Sequence, residues 1–252
     1  MRTLVTALHE TRADLLTLVR TPAYALPTLL FPLAFYVFFG VIFAQGHAHG
    51  AAIATYLLAT YGTFGIVGAA LFSFGVGVAI ERGRGWLTLK RASPMPIGAY
   101  FLARTVTCAV FAAAIVVAMF AVGASFGGVR LPLAEWLVLA LTLVAGTVPF
   151  CALGLAFGLL AGPSSAAPLV NLIYLPMSFL SGLWIPLDQL PAFLRHVAVV
   201  FPTFHLGQLA LDTIGFGDGA IAVHVIALLA FTSFGVTVAA LAWMRDERPS
   251  YG

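Results

Sequence analysis

Histidines are the residues here whose chemistry could most readily hold a metal ion or a haem group. Six are present, but only His224 falls inside a long apolar stretch. His47-Ala48-His49 offers two imidazoles in a Gly/Ala-rich break, which are too few donors for a tetrahedral metal site. Haem within a helix bundle needs histidines on facing helices. The sequence therefore predicts no metal or haem site.

Cysteine and serine give no recognisable nucleophile. Cys108 and Cys151 lie in apolar stretches without a metal-ligand or redox spacing, so we expect them to be reduced, buried and structural. Ser181 has no histidine or acid at a spacing typical of a nucleophile and its base. An intramembrane redox or hydrolytic enzyme is therefore a disfavoured alternative.

A nucleotide-binding motif is also missing. A P-loop needs a glycine-rich turn followed by lysine and serine or threonine. The one lysine, Lys90, lies in Leu89-Lys90-Arg91. We therefore expect no cofactor in this chain, and an ATP-driven function would need a partner subunit that binds ATP and magnesium.

The elements that must position these residues are membrane-spanning helices. Of 252 residues, 62% are hydrophobic and 8% are charged, against roughly a quarter charged in soluble domains. Crossing about 30 Å of hydrocarbon takes about 20 residues, and the charge-free intervals fit six such helices. They are expected at about 23–44, 53–80, 101–126, 136–161, 167–185 and 220–244. The predicted fold class is one all-α integral membrane domain over 1–252; long continuous apolar runs disfavour a β-barrel.

Basic residues predict the orientation. With six spans both termini lie on one side, and the opposite side carries only Arg130 and Arg195. The positive-inside rule therefore places both termini in the cytoplasm of a multi-pass inner (plasma) membrane protein. The net charge of +3 then reflects topology, and no nucleic-acid partner is expected. The cytoplasmic side carries ten basic residues: Arg2, Arg12, Arg20, Arg82, Arg84, Lys90, Arg91, Arg104, Arg245 and Arg248.

The N-terminal segment, 1–22, predicts an amphipathic helix in the cytoplasmic membrane interface. At about 100° per residue its apolar side chains share one arc, which would face lipid or neighbouring spans. The residues of this arc are Leu4, Leu8, Leu15, Leu18 and Val19.

The segment 81–98, between the second and third spans, is the most charged stretch of the chain. A short helix is expected from about Arg84 to Ala92, because a residue before proline avoids the helical region. Trp86, Leu87 and Leu89 in a basic frame suit a protein interface. The same charges could instead only fix topology and contact anionic lipid, and composition leaves both explanations open.

The segment 186–219, between the fifth and sixth spans, is long and apolar. Three prolines divide it into two helical pieces, at about 188–200 and 203–213. They are too short to cross the membrane and too apolar for water, which predicts re-entrant outer helices.

This arrangement resembles the permease subunits of ABC-2 type exporters over nearly the whole chain. The resemblance rests on the N-terminal helix, the six spans and two motif regions. These regions read Glu81-Arg82-x-x-Gly85-Trp86-Leu87 … Ser93-Pro94-Met95-Pro96, and Ser181-Gly182-Leu183-Trp184-Ile185-Pro186-Leu187-x-x-Leu190-Pro191 followed by Pro202-Thr203-Phe204-His205. Family members often carry Gly-Thr where this chain has Gly85-Trp86.

The resemblance implies three sets of site residues. The first loop would dock on a separate ATPase, the second and fifth spans would line the central cavity of a dimer, and the second loop would close the outer end. Polar groups on the spans can equally bond helices together, at about 0.6 kcal/mol each. The ATPase-coupling set is Glu81, Arg82, Arg84, Trp86, Leu87, Lys90 and Arg91. The substrate-path set is Thr60, Tyr61, Phe64, Asn171, Tyr174, Ser178 and Ser181, and the outer-gate set is Trp184, Pro186, Pro191, Pro202 and His205.

The expected function is therefore that of a permease subunit in an ATP-driven exporter. Its partners would be two copies of an ABC ATP-binding subunit, a second identical or related permease, and membrane lipid. The spans hold no central ionisable residue, which favours a hydrophobic or amphipathic passenger such as a drug, antibiotic or lipid-like compound. Export of a lipid-linked polysaccharide is the alternative.

Glycines on two spans predict close helix packing. Gly154, Gly158 and Gly162 recur at intervals of four, and Gly123 pairs with Gly127. Such spacing lets backbones approach closely, either within one subunit or between two.

Overall fold

The computed structural model describes residues 2–20, 22–44, 49–92 and 97–246, which are helical with short connections and contain no strand. The helices are α1 (Arg2–Val19), α2 (Pro22–Phe35, continued by the π-helix Tyr36–Phe43), α3 (Gly50–Ala70, continued by the π-helix Leu71–Val76 and by Gly77–Gly83), α4 (Trp86–Ala92), α5 (Ile97–Ser125), α6 (Leu133–Ala145), α7 (Thr147–Leu160), α8 (Ala166–Leu180), α9 (Ala192–Ala198), α10 (Pro202–Asp212) and α11 (Ile221–Asp246).

Five stretches of the described chain are helical, long and apolar enough to cross a membrane. They are Leu26–Phe43, Gly50–Gly83, Gly98–Ser125, Leu133–Leu160 and Ile221–Arg245. The all-helical membrane fold predicted from composition is confirmed at this level. The predicted fifth span, 167–185, is the 15-residue helix α8, whose length of about 22 Å is less than the hydrocarbon thickness. The count of six spans therefore stays a prediction.

α3 is the centre of the bundle. In its most apolar window 78% of the residues are buried, against 22% in the first and last of the five stretches. Its large side chains Leu58, Tyr61, Phe64 and Ile66 are fully enclosed. The peripheral helices thus present apolar surface outward, as a membrane protein does when lipid replaces water.

Close packing of α7 against α3 depends on glycine. A Cβ on Gly154 would lie 3.0 Å from Cβ of Phe74, and one on Gly158 would lie 2.6 Å from the Phe74 carbonyl oxygen. Because Gly154 and Gly158 have no Cβ atom, the π-helical part of α3 packs directly against the backbone of α7. The glycine spacing left open whether these residues pack within one subunit or between two. Gly154 and Gly158 pack within one subunit.

The N-terminal helix packs on α5 through small residues. Ala7 and Thr11 are buried, and the Thr11 hydroxyl donates to the Ala7 and Ala103 carbonyl oxygens. Leu8 and Val19, from the predicted apolar arc, are 70% and 64% exposed. Leu8 and Val19 thus face away from the bundle, whereas Leu15 is partly buried, and the interfacial position of the helix stays a prediction. The side chains of Leu4 and Leu18 lie outside the described residues.

Candidate functional site

A buried ion pair joins the end of α3 to α5. The Glu81 carboxylate pairs with the Arg104 guanidinium and accepts a hydrogen bond of 2.7 Å from the Tyr100 hydroxyl. Arg104 also donates to the Ser73 carbonyl oxygen at 2.9 Å and is 5% exposed. The sequence counted Arg104 only as a topology charge. Its role as the partner of Glu81 was missed because 23 residues separate them.

Arg82 fastens the same region to α7. Its guanidinium donates to the Leu159 carbonyl oxygen and to the Ala161 carbonyl oxygen at 3.0 Å. These acceptors lie at the C-terminal end of α7, where backbone carbonyls lack partners within the helix. The start of the 81–98 connection is therefore attached to two spans.

The short helix α4 presents some of the expected anchors and buries another. It begins after Gly85, whose φ of +75° suits glycine in a tight turn. Trp86 and Leu89 are 53% and 64% exposed, whereas Leu87 is 4% exposed and belongs to the main hydrophobic core. Leu87 therefore attaches the helix to the core, while Trp86 and Leu89 remain accessible, and the coupling role of this set stays a prediction. Arg84 is exposed.

The rest of the predicted coupling set is not described. The side chains of Lys90 and Arg91, and the whole of Ser93-Pro94-Met95-Pro96, lie outside the described residues.

Three substrate-path residues and one gate residue form a single aromatic cluster. The Tyr174 ring stacks on Phe64 with centroids 4.9 Å apart, and its hydroxyl donates to the Phe64 carbonyl oxygen at 2.8 Å. Trp184 meets Phe64 edge-on at 5.5 Å, and its carbonyl oxygen accepts from the Tyr61 hydroxyl at 3.5 Å. The Trp184 Nε1 is buried without a partner among the described residues. The cluster closes the space between α3, α8 and the 181–186 turn.

An open cleft lies beside this cluster, between α2, α3 and α8. Its volume is about 300 Å³, at the lower end of the range for small-molecule sites. Thr28, Asn171 and Tyr174 provide its polar side chains, and Phe31 and Phe72 also line it. Among the described residues, no Asp, Glu, Lys, Arg or His lines it, which suits an uncharged or apolar group.

The other predicted path residues are buried within the bundle. Ser178 and Ser181 form hydrogen bonds there, whereas the Thr60 hydroxyl has no partner among the described residues. The Ser178 hydroxyl donates to the Tyr174 carbonyl oxygen at 2.7 Å. The Ser181 and Thr203 hydroxyls bond to each other and link α8 to α10. Thr60 is 1% exposed. The predicted face of α8 thus divides, since Asn171 is exposed whereas Ser178 and Ser181 are enclosed.

Two of the predicted gate residues, Trp184 and Pro186, line a second cavity. It has a volume of about 770 Å³ and is lined by Trp184, Pro186, Asp188 and Phe39, among other residues. Pro191 is exposed where α9 begins, and Pro202 is buried as the first residue of α10. The two short helices predicted for 186–219 are present as α9 and α10. α9 is shorter at both ends than the predicted 188–200, and α10 begins and ends one residue before the predicted 203–213.

His205, the last gate residue, belongs to a polar chain that the sequence did not reveal. Its Nδ1 lies 2.9 Å from Nδ1 of His224, whose Nε2 lies 2.9 Å from Oδ1 of Asp218. Burial and the nearby His224 lower the pKa of His205 against the raising effects of the Val199 carbonyl and Asp218. At Asp218 burial raises the pKa, but the Ala220 N–H and His224 outweigh it, so the pKa lies below its usual value. The one available signal was the spacing Asp212-x5-Asp218-x5-His224 across the α10–α11 turn.

Comparison with known proteins agrees with this arrangement. The family model described as ABC-2 type transporter matches residues 9–215, which include α4, the aromatic cluster and α10. The protein "Putative transport permease YvfS" of Bacillus subtilis (strain 168) is 26% identical over 206 residues, covering 82% of this chain and 84% of that protein. The match extends over most of both chains and is not confined to a single motif. The chain therefore belongs to the ABC-2 type transporter family and is a multi-pass membrane component of an ABC transporter, a system that includes an ATPase partner.

Proposed function

We propose that this chain is the permease subunit of an ATP-driven exporter that moves a hydrophobic or amphipathic compound out of the cell. Two permease copies would assemble with two copies of a separate ATP-binding subunit, which would hold ATP and magnesium. Both termini and α4 would lie in the cytoplasm, and α9 and α10 would lie at the outer face.

The observation that carries this proposal is the way α4 is attached to the helix bundle. The chain before α4 is tied to α5 by Glu81 and Arg104 and to α7 by Arg82. Leu87 seats the helix in the core, and Trp86 remains 53% exposed. A helix that only fixed topology would need charge, but not a buried anchor together with an exposed tryptophan. Large aromatic side chains dominate the energy of protein interfaces. A helix that is attached to the spans and exposes a tryptophan is therefore suited to transmit movement from an ATPase to the spans.

The substrate class is supported by the cleft and the aromatic cluster. The cleft is uncharged, and the cluster beside it contains a buried Trp184 Nε1 without a partner among the described residues. Trp184 lines the second cavity and not this cleft. The uncharged lining of the cleft itself suits an apolar or uncharged passenger.

The test is recovery of the ATP-binding subunit with the purified permease. Trp86→Ala should reduce co-purification by about tenfold or more, because loss of a central interface aromatic costs 2 kcal/mol or more. Membrane insertion and elution of the permease should stay unchanged, since Trp86 is exposed.

Phe193→Ala is the matched control. Phe193 is another exposed aromatic, 65% exposed, but it lies on α9 at the opposite loop. It should co-purify like the wild type. Equal recovery with Trp86→Ala and Phe193→Ala would leave lipid contact as the role of α4. Leu87→Asp is a poor test, because burying its charge would disturb folding.

A further inference from the structure

The turn between α10 and α11 gathers three groups that bind metal ions. Oxygen atoms of Asp212 and Asp218 and a ring nitrogen of His224 all lie within 4.8 Å of one another. The Gly219 N–H donates to Asp212 Oδ1 at 2.8 Å and the Ala220 N–H to Asp218 Oδ1 at 2.9 Å. These backbone bonds fix both carboxylates in place.

The histidine pair cannot be satisfied with both rings neutral. The Nε2 of His205 faces the Val199 carbonyl oxygen at 3.0 Å, an acceptor only, so this nitrogen carries hydrogen. The Nδ1 of a neutral His205 is then an acceptor, and the Nδ1 of His224 must donate to it. That leaves a bare lone pair on His224 Nε2 pointing at Asp218 Oδ1. The other tautomer of His224 would instead place two lone pairs between the Nδ1 atoms. In either tautomer two acceptors face each other, and a proton or a metal ion between them would remove the conflict.

One proton does not balance the cluster. One added proton would give the two histidines a total charge of +1, whereas the two carboxylates carry a total charge of −2. Asp212 Oδ2 is buried and has no hydrogen-bond partner among the described residues, so it gains nothing from a proton on the histidines. A divalent ion beside His224 Nε2 would compensate both carboxylates and occupy the bare lone pair.

We propose that Asp212, Asp218 and His224 bind one divalent transition-metal ion of the zinc class, which clasps the end of α10 to the start of α11. One imidazole and two carboxylates are donors that such ions accept, at distances of about 2.0–2.2 Å. His224 Nε2 and Asp218 Oδ1 lie 2.9 Å apart, and all three donors lie within 4.8 Å of one another.

His205 would act as a positioning residue for this site. Metal-bound histidines donate their second N–H to a fixed acceptor, which sets the tautomer and the ring direction. Here His224 Nδ1 donates to His205, which in turn is held by the Val199 carbonyl. His224 is 2% exposed, while the Asp218 side chain is 47% exposed. The site is therefore rigid on its histidine side and open to water, which supplies the fourth ligand, on its Asp218 side.

The test is a Co²⁺ titration of the purified full-length permease. The protein is purified with an affinity tag that contains no histidine. One equivalent should bind and give the visible absorption of tetrahedral cobalt, and Zn²⁺ should displace it. Zn²⁺ should also raise the melting temperature of the wild type, because a ligand that binds only the folded state stabilises it. Asp212→Asn should lose both effects while eluting like the wild type, and Asp218→Asn provides the same test at an exposed position.

Asp188→Asn and His196→Gln are the controls, since both change an exposed potential ligand of the 186–219 segment. They should bind Co²⁺ as the wild type does. Failure of the wild type to bind Co²⁺, or equal binding by Asp212→Asn and Asp218→Asn, would overturn the proposal and leave a proton on the histidine pair only. The result does not depend on the direction or substrate of transport.

Discussion

At the scale of single residues, the Glu81–Arg104 pair is the most constrained feature near the start of the 81–98 segment. Arg104 is almost fully enclosed and shares its guanidinium between Glu81 and the Ser73 carbonyl. Buried pairs of this kind add little net stability, but they are costly to break from one side. The pair therefore works as a fixed joint between α3 and α5, close to α4.

Neutralising one partner should expose that cost. Glu81→Gln leaves the Arg104 charge buried without its counter-ion and should lower the free energy of unfolding by about 3 kcal/mol. Thermal unfolding in detergent measures this loss. Glu81→Gln combined with Arg104→Met should recover part of it, since no lone charge remains. Asp188→Asn, an exposed acid, should behave like the wild type, and an equally stable Glu81→Gln would remove the joint from the account.

The cleft gives a second prediction at the residue scale. Asn171→Trp should reduce export severalfold without affecting folding, because Asn171 is exposed and lines the cleft. Leu172→Trp is the matched control, as Leu172 is the next residue along α8 and 70% exposed but does not line the cleft. Transport assays on both variants decide the point, and equal export by the two would exclude this cleft from the path.

Sequence patterns located the site regions but did not sort their individual side chains. Trp86 and Leu87 are adjacent and both apolar, so only the seat of α4 on the core shows which one is exposed. Asn171 and Ser178 share a helical face by periodicity, but neighbouring helices cover only Ser178. The His205–His224 contact was equally hidden, because it depends on how α10 folds back onto α11.

At the scale of elements, prediction succeeded where local chemistry decides and failed where packing does. The prolines gave α9 and α10, and the charge-free intervals gave the long spans. The π-helical parts of α2 and α3 left no signal in the sequence. In α3 the π-helix faces Gly154 and Gly158 of α7, so its irregular backbone is tied to a tertiary contact.

Gly158→Ala should therefore destabilise the protein by about 1–3 kcal/mol, because the added methyl would overlap the carbonyl oxygens of Phe74 and Gly75. Gly98→Ala is the control, since a Cβ there meets nothing within 4 Å. Melting temperatures of the two variants in the same detergent provide the comparison. A Gly158→Ala protein as stable as Gly98→Ala would mean that α3 and α7 can separate without cost.

At the scale of the whole molecule, the order of segments carried most of the functional information. An N-terminal helix, apolar spans, a basic connection and a proline-divided apolar segment predicted the family, and the match over residues 9–215 confirms it. The length of α8 was not predictable, because glycine and proline mark the ends of a span without giving its depth in the membrane. Orientation rests on the ten basic residues of one side, of which Arg248 lies outside the described residues.

The central claim is that ATP hydrolysis by a partner drives export through this chain, with α4 as the contact. The most direct measurement is movement of a fluorescent amphipathic compound across proteoliposomes that contain the permease and its ATP-binding subunit. The account predicts transport only with ATP and both proteins, wild-type rates for Phe193→Ala, and loss of transport without loss of insertion for Trp86→Ala. Transport by the permease alone without ATP, or full ATP-driven transport by Trp86→Ala, would contradict it.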